Sequence, residues 1–274
     1  MREGFDKPRF LRLLTIGVYL FLFLPILVVI LFSFNGQKSL VAMEGLSFEW
    51  YQAFLDNPEL RESLFVSLQI ALITMLVATV IGTALAIGLV RAKARWAPGA
   101  NILMLIPLVV PEIVTGISAL LIFSQIGLQL SFWTIVLAHI TFSISYVTIV
   151  VRARMAAISD EVEEAAMDLG ATRWASVRLV LVPALWPSVL AAGLLVFAFS
   201  FDDFVLSFFT TGEDLQPLPV RIWSAIRFGL DPTINAIGTI MMVVSLTAIA
   251  LAVMLPRLFG KRESGLKVLT AGEG

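Results

Sequence analysis

Six long apolar runs, separated by charged or turn-forming segments, constrain this sequence more than any other feature; they lie near 13–34, 63–90, 100–123, 132–151, 187–210 and 232–256. A helix that crosses bilayer hydrocarbon needs about 20 mostly apolar residues, and its backbone must satisfy its own hydrogen bonds there. Each run meets that length. The predicted fold class is an all-α membrane protein with six transmembrane helices, read as a single domain over 1–274. Composition agrees: 59% of the residues are hydrophobic and 14% charged, against about 25% charged in soluble domains. The absence of cysteine excludes a disulfide framework and a thiolate metal site.

Charge orients the runs. Of the 19 Lys and Arg residues, Lys38, Arg61, Arg221 and Arg227 fall on one side of the predicted spans and the other fifteen on the opposite side. The positive-inside rule therefore places both termini, the Arg91–Lys93–Arg95 turn and the segment 159–183 in the cytoplasm. The first run exceeds the about 7–15 apolar residues of a secretory signal core and lacks a small-residue cleavage site behind it, so it is expected to remain as a span.

The segment 159–183, SDEVEEAAMDLGATRWASVRLVLVP, is the long water-compatible stretch on that side. Asp160 and Glu163 read as a capping box, and Val162, Ala165, Ala166 and Leu169 recur at helical spacing. Gly170 ends this first short helix. Thr172 is placed to cap a second, carrying Trp174, Val177, Val180 and Leu181, which Pro183 and Pro187 are expected to break before the fifth span. The result is an exposed elbow of helix, turn and helix. An amphipathic loop lying on the bilayer surface is the plainer alternative.

Glu164-Ala165-Ala166, three residues, Gly170, nine residues, Val180, one residue, then Val182-Pro183 together resemble the cytoplasmic motif of bacterial ABC importer permeases. The family more often has Ile and Leu where this chain has Val180 and Val182. The resemblance implies the type I ABC importer permease architecture, in a bacterial inner membrane. It also implies that the elbow is a coupling helix docking on an ATPase through Glu163, Glu164, Ala165, Ala166, Asp168, Gly170 and Pro183. The implied assembly has this permease, a second related permease, two ATPase subunits and an external solute-binding protein, working by alternating access. The chain has no G-x-x-x-x-G-K-[ST] phosphate cradle, so it is expected not to be an enzyme and to hold no cofactor, with ATP and Mg bound by the separate ATPase. Membrane lipid is an expected partner; nucleic acid is not.

Inside the predicted spans the charges are all acidic. Glu112 lies about 18 Å along the third run, and Asp202 and Asp203 about 23 Å along the fifth, at 1.5 Å per residue. A carboxylate at mid-bilayer costs about 2.5–3.5 kcal/mol and usually faces a protein interior or an aqueous cavity. No Lys or Arg lies in the six runs, so compensation is expected from protons, water, a partner subunit or a cationic cargo. Phe197, Phe199, Phe201, Phe204, Phe208 and Phe209 surround the aspartates, and aromatic faces attract cations and cover methylene stretches. The alternative is that the acids are neutral or water-bridged packing residues.

Pro111-Glu112-Ile113-Val114-Thr115-Gly116, Ser200-Phe201-Asp202-Asp203-Phe204 and the loop from Leu218 to Gly229 resemble the spermidine/putrescine permease subfamily, which often has Asp in place of Glu112. That resemblance implies polyamine cargo, with Glu112, Asp202, Asp203, Phe199 and Phe204 as the substrate-binding residues. Importers of another organic cation, an amino-acid derivative or a metal ion remain alternatives. An intramembrane hydrolase lacks an HExxH sequence to support it.

Ser47 to Leu55 reads as a short helix capped by Ser47, with Trp50, Tyr51 and Phe54 anchoring it at the outer interface. Gly82 with Ala86, and Ala84 with Gly88, are small-residue pairs suited to close helix packing. His139 reads as a helix–helix hydrogen-bonding residue. Pro107 and Pro111 break the third span where it lines a cavity, and the tail from Arg257 is expected to be polar and mobile.

Overall fold

The computed structural model describes residues 8–39, 42–91, 97–159, 161–213, 215–228 and 232–270. The structured elements among them are helices: α1 (Pro8–Ser33), α2 (Glu49–Asp56), α3 (Pro58–Arg91), α4 (Ala97–Val109), α5 (Glu112–Gln125), α6 (Phe132–Met155), α7 (Glu161–Asp168), α8 (Arg173–Ser176), α9 (Val182–Asp202), α10 (Val205–Thr210), α11 (Leu218–Phe228) and α12 (Thr233–Thr270). Five helical stretches are long and apolar enough to cross a membrane, and α4 with α5 makes a sixth if that bent pair is one span. The predicted span count is met on that condition.

The chain divides into two compact units. The first contains residues 1–61 and 222–243. Here residues 10–29 of α1 are mostly apolar and exposed, as expected of a helix facing lipid. The loop after it folds around the buried Asn35, whose Nδ2 donates to the Ser39 and Ala42 carbonyls and whose Oδ1 accepts from Glu44 N–H. Trp50 corrects the anchoring expectation: it is buried, and its Nε1–H donates to the Asn35 carbonyl at 2.7 Å. Phe54 is buried too, and the Tyr51 hydroxyl lies 2.7 Å from Ser33 Oγ. These aromatics hold the loop to α2 rather than reaching into an interface. Helix α2 also starts one residue later than a Ser47 cap implies, at Glu49, whose N–H donates to Ser47 Oγ.

The second unit contains residues 62–221 and 244–274, and its core lies between α3, α6 and α9. Ala78, Ala86, Val147, Val151, Leu185, Val189, Ala192 and Val196 are buried together. Gly82 makes the close approach possible, because a Cβ there would sit 2.7 Å from Val147 Cβ. Gly82 and Ala86 therefore pack as expected. Ala84 and Gly88 do not: both are exposed, with nothing within 4 Å of a Cβ built on Gly88.

Two breaks interrupt the spans, an expected one at Pro111 and an unexpected one at Asp203. Pro111 lacks an N–H and disfavours helical backbone at Val110, and there the chain turns by 107° between α4 and α5. The fifth span ends at Asp202, not near residue 210; Asp203 is extended (φ −70, ψ 120) and α10 begins at Val205. Conversely, Pro183 and Pro187 do not interrupt the elbow's exit. Helix α8 runs through a π-helical turn, Val177–Leu181, directly into α9. That wider turn ends at Leu181, two residues before Pro183, and the helix continues across it. Helix α12 likewise stays helical past Pro256 to Thr270; the sequence beyond Pro256 has no further proline to stop it.

Candidate functional site

The two breaks that carry acids meet. Helices α5 and α10 pack closely, with Gly116 against the Phe209 ring: a Cβ there would lie 2.8 Å from Phe209 Cδ2. Helix α10 is tied to α6 by the Thr134 hydroxyl, which donates to the Thr210 carbonyl at 2.7 Å. Glu112, in the first turn of α5, and Asp202 and Asp203, at the end of α9, thereby line one cavity of about 530 Å³. Its wall also holds Leu108, Phe142, Tyr146, Phe199, Phe204 and Ser245. All five residues predicted to bind cargo are present. Small-molecule sites fall in the range of about 300–1,000 Å³, and this one has their usual make-up of apolar walls with a few convergent polar groups.

The three acids are treated differently. Glu112 and Asp202 are exposed. The Asp203 side chain is only 8% exposed, and its Oδ2 lies 3.1 Å from His139 Nε2 while accepting the Ser207 N–H at 3.0 Å. Glu112 lines the same cavity wall as Asp203. The expectation that all three acids lack a partner within the chain is therefore corrected for Asp203. His139, 2% exposed, supplies Asp203 with a hydrogen-bonding partner from within the chain.

Electrostatics at the cavity favour a cation. Asp202 is the last residue of α9, so the unpaired carbonyls of that helix's final turn lie beside its carboxyl group and add to the negative end of the dipole. Tyr146 and Phe199 pack edge to face at 5.2 Å between centroids, and Phe204 leans on Phe208 at 5.3 Å. Phe142, Tyr146 and Ser245 were not assigned to the site from sequence. The signal for the first two was present: Phe142 and Tyr146 follow His139 by three and seven residues, the spacing of one helix face.

The elbow is formed by α7, α8 and the π turn. Gly170, at φ +92, closes α7 in a Schellman arrangement, with Ala171 N–H donating to the Ala166 carbonyl and Gly170 N–H to that of Met167. Thr172 Oγ1 accepts from Ala175 N–H and caps α8 as predicted. Asp160, the other proposed cap, lies outside the described residues; Ser159 Oγ accepts from Glu161 N–H. Glu164, Ala165, Asp168, Gly170 and Pro183 are exposed, Ala166 is partly covered, and Leu169 and Trp174 are 90% and 72% exposed. Glu163 differs from this group because it forms an ion pair with Arg91 at the end of α3.

Comparison with known proteins agrees with this architecture. Residues 78–264 match the family described as Binding-protein-dependent transport system inner membrane component. The chain is 35% identical over 240 residues to the Spermidine/putrescine transport system permease protein PotC of Haemophilus influenzae, covering 88% of this chain and 93% of that protein. It is 34% identical over 244 residues to the Putrescine transport system permease protein PotI of Escherichia coli, covering 86% of each. Among solved structures, it resembles a bacterial ABC transporter involved in the import of the acidic polysaccharide alginate, with TM-score 0.74 and 14% identity, over 92% of this chain and 96% of that one. An amino acid ABC transporter with histidines gives TM-score 0.61 and 19% identity, over 78% and 99%. These two structural likenesses speak to the fold alone.

Proposed function

Since the chain belongs to the family of binding-protein-dependent transport system inner membrane components, we propose that it is the permease subunit of an ATP-driven importer that brings polyamines, spermidine or putrescine, across the inner membrane. The chain is a transport component and not an enzyme. The observation that carries the cargo assignment is the single cavity in which Glu112, Asp202 and Asp203 meet Phe142, Tyr146, Phe199 and Phe204. Carboxyl groups suit ammonium ends, and aromatic faces suit both the charge and the methylenes between charges. The names of the relatives point to the same cargo.

In this reading a solute-binding protein delivers cargo to the outer mouth, and the cavity is completed by a second related permease. Two ATPase subunits, which carry ATP and Mg, dock on the elbow through the exposed Glu164, Ala165, Asp168 and Gly170 together with Leu169 and Trp174. Closure of the ATPases moves the elbow. Because α8 passes without a break into α9, that motion is transmitted along one helix to Asp202, a rigid link of the kind alternating access requires. Both termini are on the cytoplasmic side.

The experiment is uptake of labelled putrescine and spermidine by the complete importer in a transport-deficient strain, comparing wild type with Glu112→Gln and Asp202→Asn and checking assembly of each. Loss of one charged contact is expected to raise KM about tenfold or more. Uptake of neither amine by the wild type refutes the cargo assignment; unchanged KM in both variants refutes the site.

A further inference from the structure

The His139 ring touches the chain on both sides of the α9–α10 break and inside it. Its Nδ1 lies 2.7 Å from Ser200 Oγ, two residues before the end of α9, while Nε2 lies 3.1 Å from Asp203 Oδ2 and 3.2 Å from Ser207 Oγ in α10. One tautomer serves both edges: Ser200 donates to Nδ1, and the Nε2–H donates to Asp203. Ser207 N–H holds the same carboxylate oxygen from the other side. A side chain that is 2% exposed and fixed at both nitrogens has little freedom to move, so it fixes what it touches.

We propose that His139 is a positioning residue: it ties Asp203 back against α6, so that cargo in the cavity meets the two exposed acids, Glu112 and Asp202, rather than three. The tie itself is independent of what the cargo is; its effect on selectivity rests on the polyamine reading above. A cavity presenting two carboxyl groups suits a diamine. Freeing Asp203 adds a third and shifts preference toward a triamine.

The test uses the complete importer in proteoliposomes in two arms. In the first, dicyclohexylcarbodiimide, which modifies carboxyl groups in apolar surroundings, is followed by peptide mass spectrometry. Asp203 is expected to be labelled about tenfold less than Asp202 in wild type, to approach Asp202 in His139→Leu, and to stay near wild type in His139→Gln, which keeps an N–H donor. In the second arm, the ratio of kcat/KM for spermidine over putrescine is expected to rise about fivefold in His139→Leu and to return in His139→Leu/Asp203→Asn. If His139→Leu does not assemble, recovery in that double variant supports the tie and failure of both overturns it. Equal labelling of Asp202 and Asp203 in wild type, or labelling that His139→Leu does not change, also overturns it. Labelling that follows His139 while wild type carries neither amine leaves the tie standing and removes the polyamine reading; transport of both amines with labelling unmoved does the reverse.

Discussion

Arg91, the last residue of α3, forms an ion pair with Glu163, in the first turn of α7. The two are 72 positions apart in sequence, so the pair fastens the elbow to a helix that does not lead into it. Their side chains remain 32% and 20% exposed, which limits such a pair to about 1 kcal/mol or less. Its value is placement: it fixes where the elbow stands relative to α3.

Arg91→Glu and Glu163→Arg are each expected to lower uptake per ATP hydrolysed by roughly twofold to fivefold, the range that an energy of up to about 1 kcal/mol spans. The double exchange restores it, since the pair is re-formed with its signs reversed. The ratio of cargo transported to phosphate released in proteoliposomes decides the matter; a double exchange no better than either single change refutes it.

The outer face of the elbow makes a different prediction. Leu169 and Trp174 are large apolar side chains at 90% and 72% exposure, and anchors of this kind dominate protein interfaces, often at about 2 kcal/mol or more each. Trp174→Ala and Leu169→Asp should each weaken co-purification of the ATPase by roughly 30-fold while leaving the folded permease in the membrane. Retention of the ATPase at wild-type levels by both variants counts against docking there.

Packing of α3 on α6 gives a paired test of stability. At Gly82 an added Cβ meets Val147 at 2.7 Å, whereas at Gly88 nothing lies within 4 Å. Gly82→Val should cost about 1–3 kcal/mol through overpacking. Gly88→Ala should be neutral or stabilising by up to about 1 kcal/mol, as expected for an exposed helical glycine. Thermal unfolding of the purified chain in detergent reads both; equal shifts argue against the close approach.

Most of the architecture follows from patterns local in sequence. Apolar runs of bilayer length, the Gly170 turn and the Thr172 cap each depend on residues a few positions apart; the turn and the cap lie where expected, and the runs depart where the fifth stops at Asp202. Three features depend on distant partners or on breaks without a marker. The His139–Asp203 pair joins residues on separate helices, so an intramembrane acid looked uncompensated although its partner was elsewhere in the chain. The break at Asp203 and Phe204 has neither proline nor glycine, and its apolar flanks read as one helix. Trp50 had the composition of an interfacial anchor, yet the Asn35 carbonyl claims its indole N–H. Pro183 shows the converse: a strong breaker signal was absorbed by the preceding π turn.

At Ser245, stability and binding respond to the same side chain with opposite signs. Its hydroxyl is buried without a hydrogen-bond partner among the described residues, and its side chain lines the cavity that holds Glu112, Asp202 and Asp203. An unmade buried hydrogen bond costs about 1–3 kcal/mol. Ser245→Ala removes that cost from the empty protein, so the variant should unfold at the wild-type temperature or a few degrees higher. A cargo ammonium, however, can donate to the Oγ, and losing this acceptor should raise KM for the amine by roughly fivefold to tenfold with little change in the maximal rate. Val205→Ala, elsewhere in the same wall, trims the lining without touching a polar group and so measures the effect of shape alone. A Ser245→Ala protein that is less stable than wild type, or that transports with unchanged KM, shows that the hydroxyl serves the helix rather than the cargo.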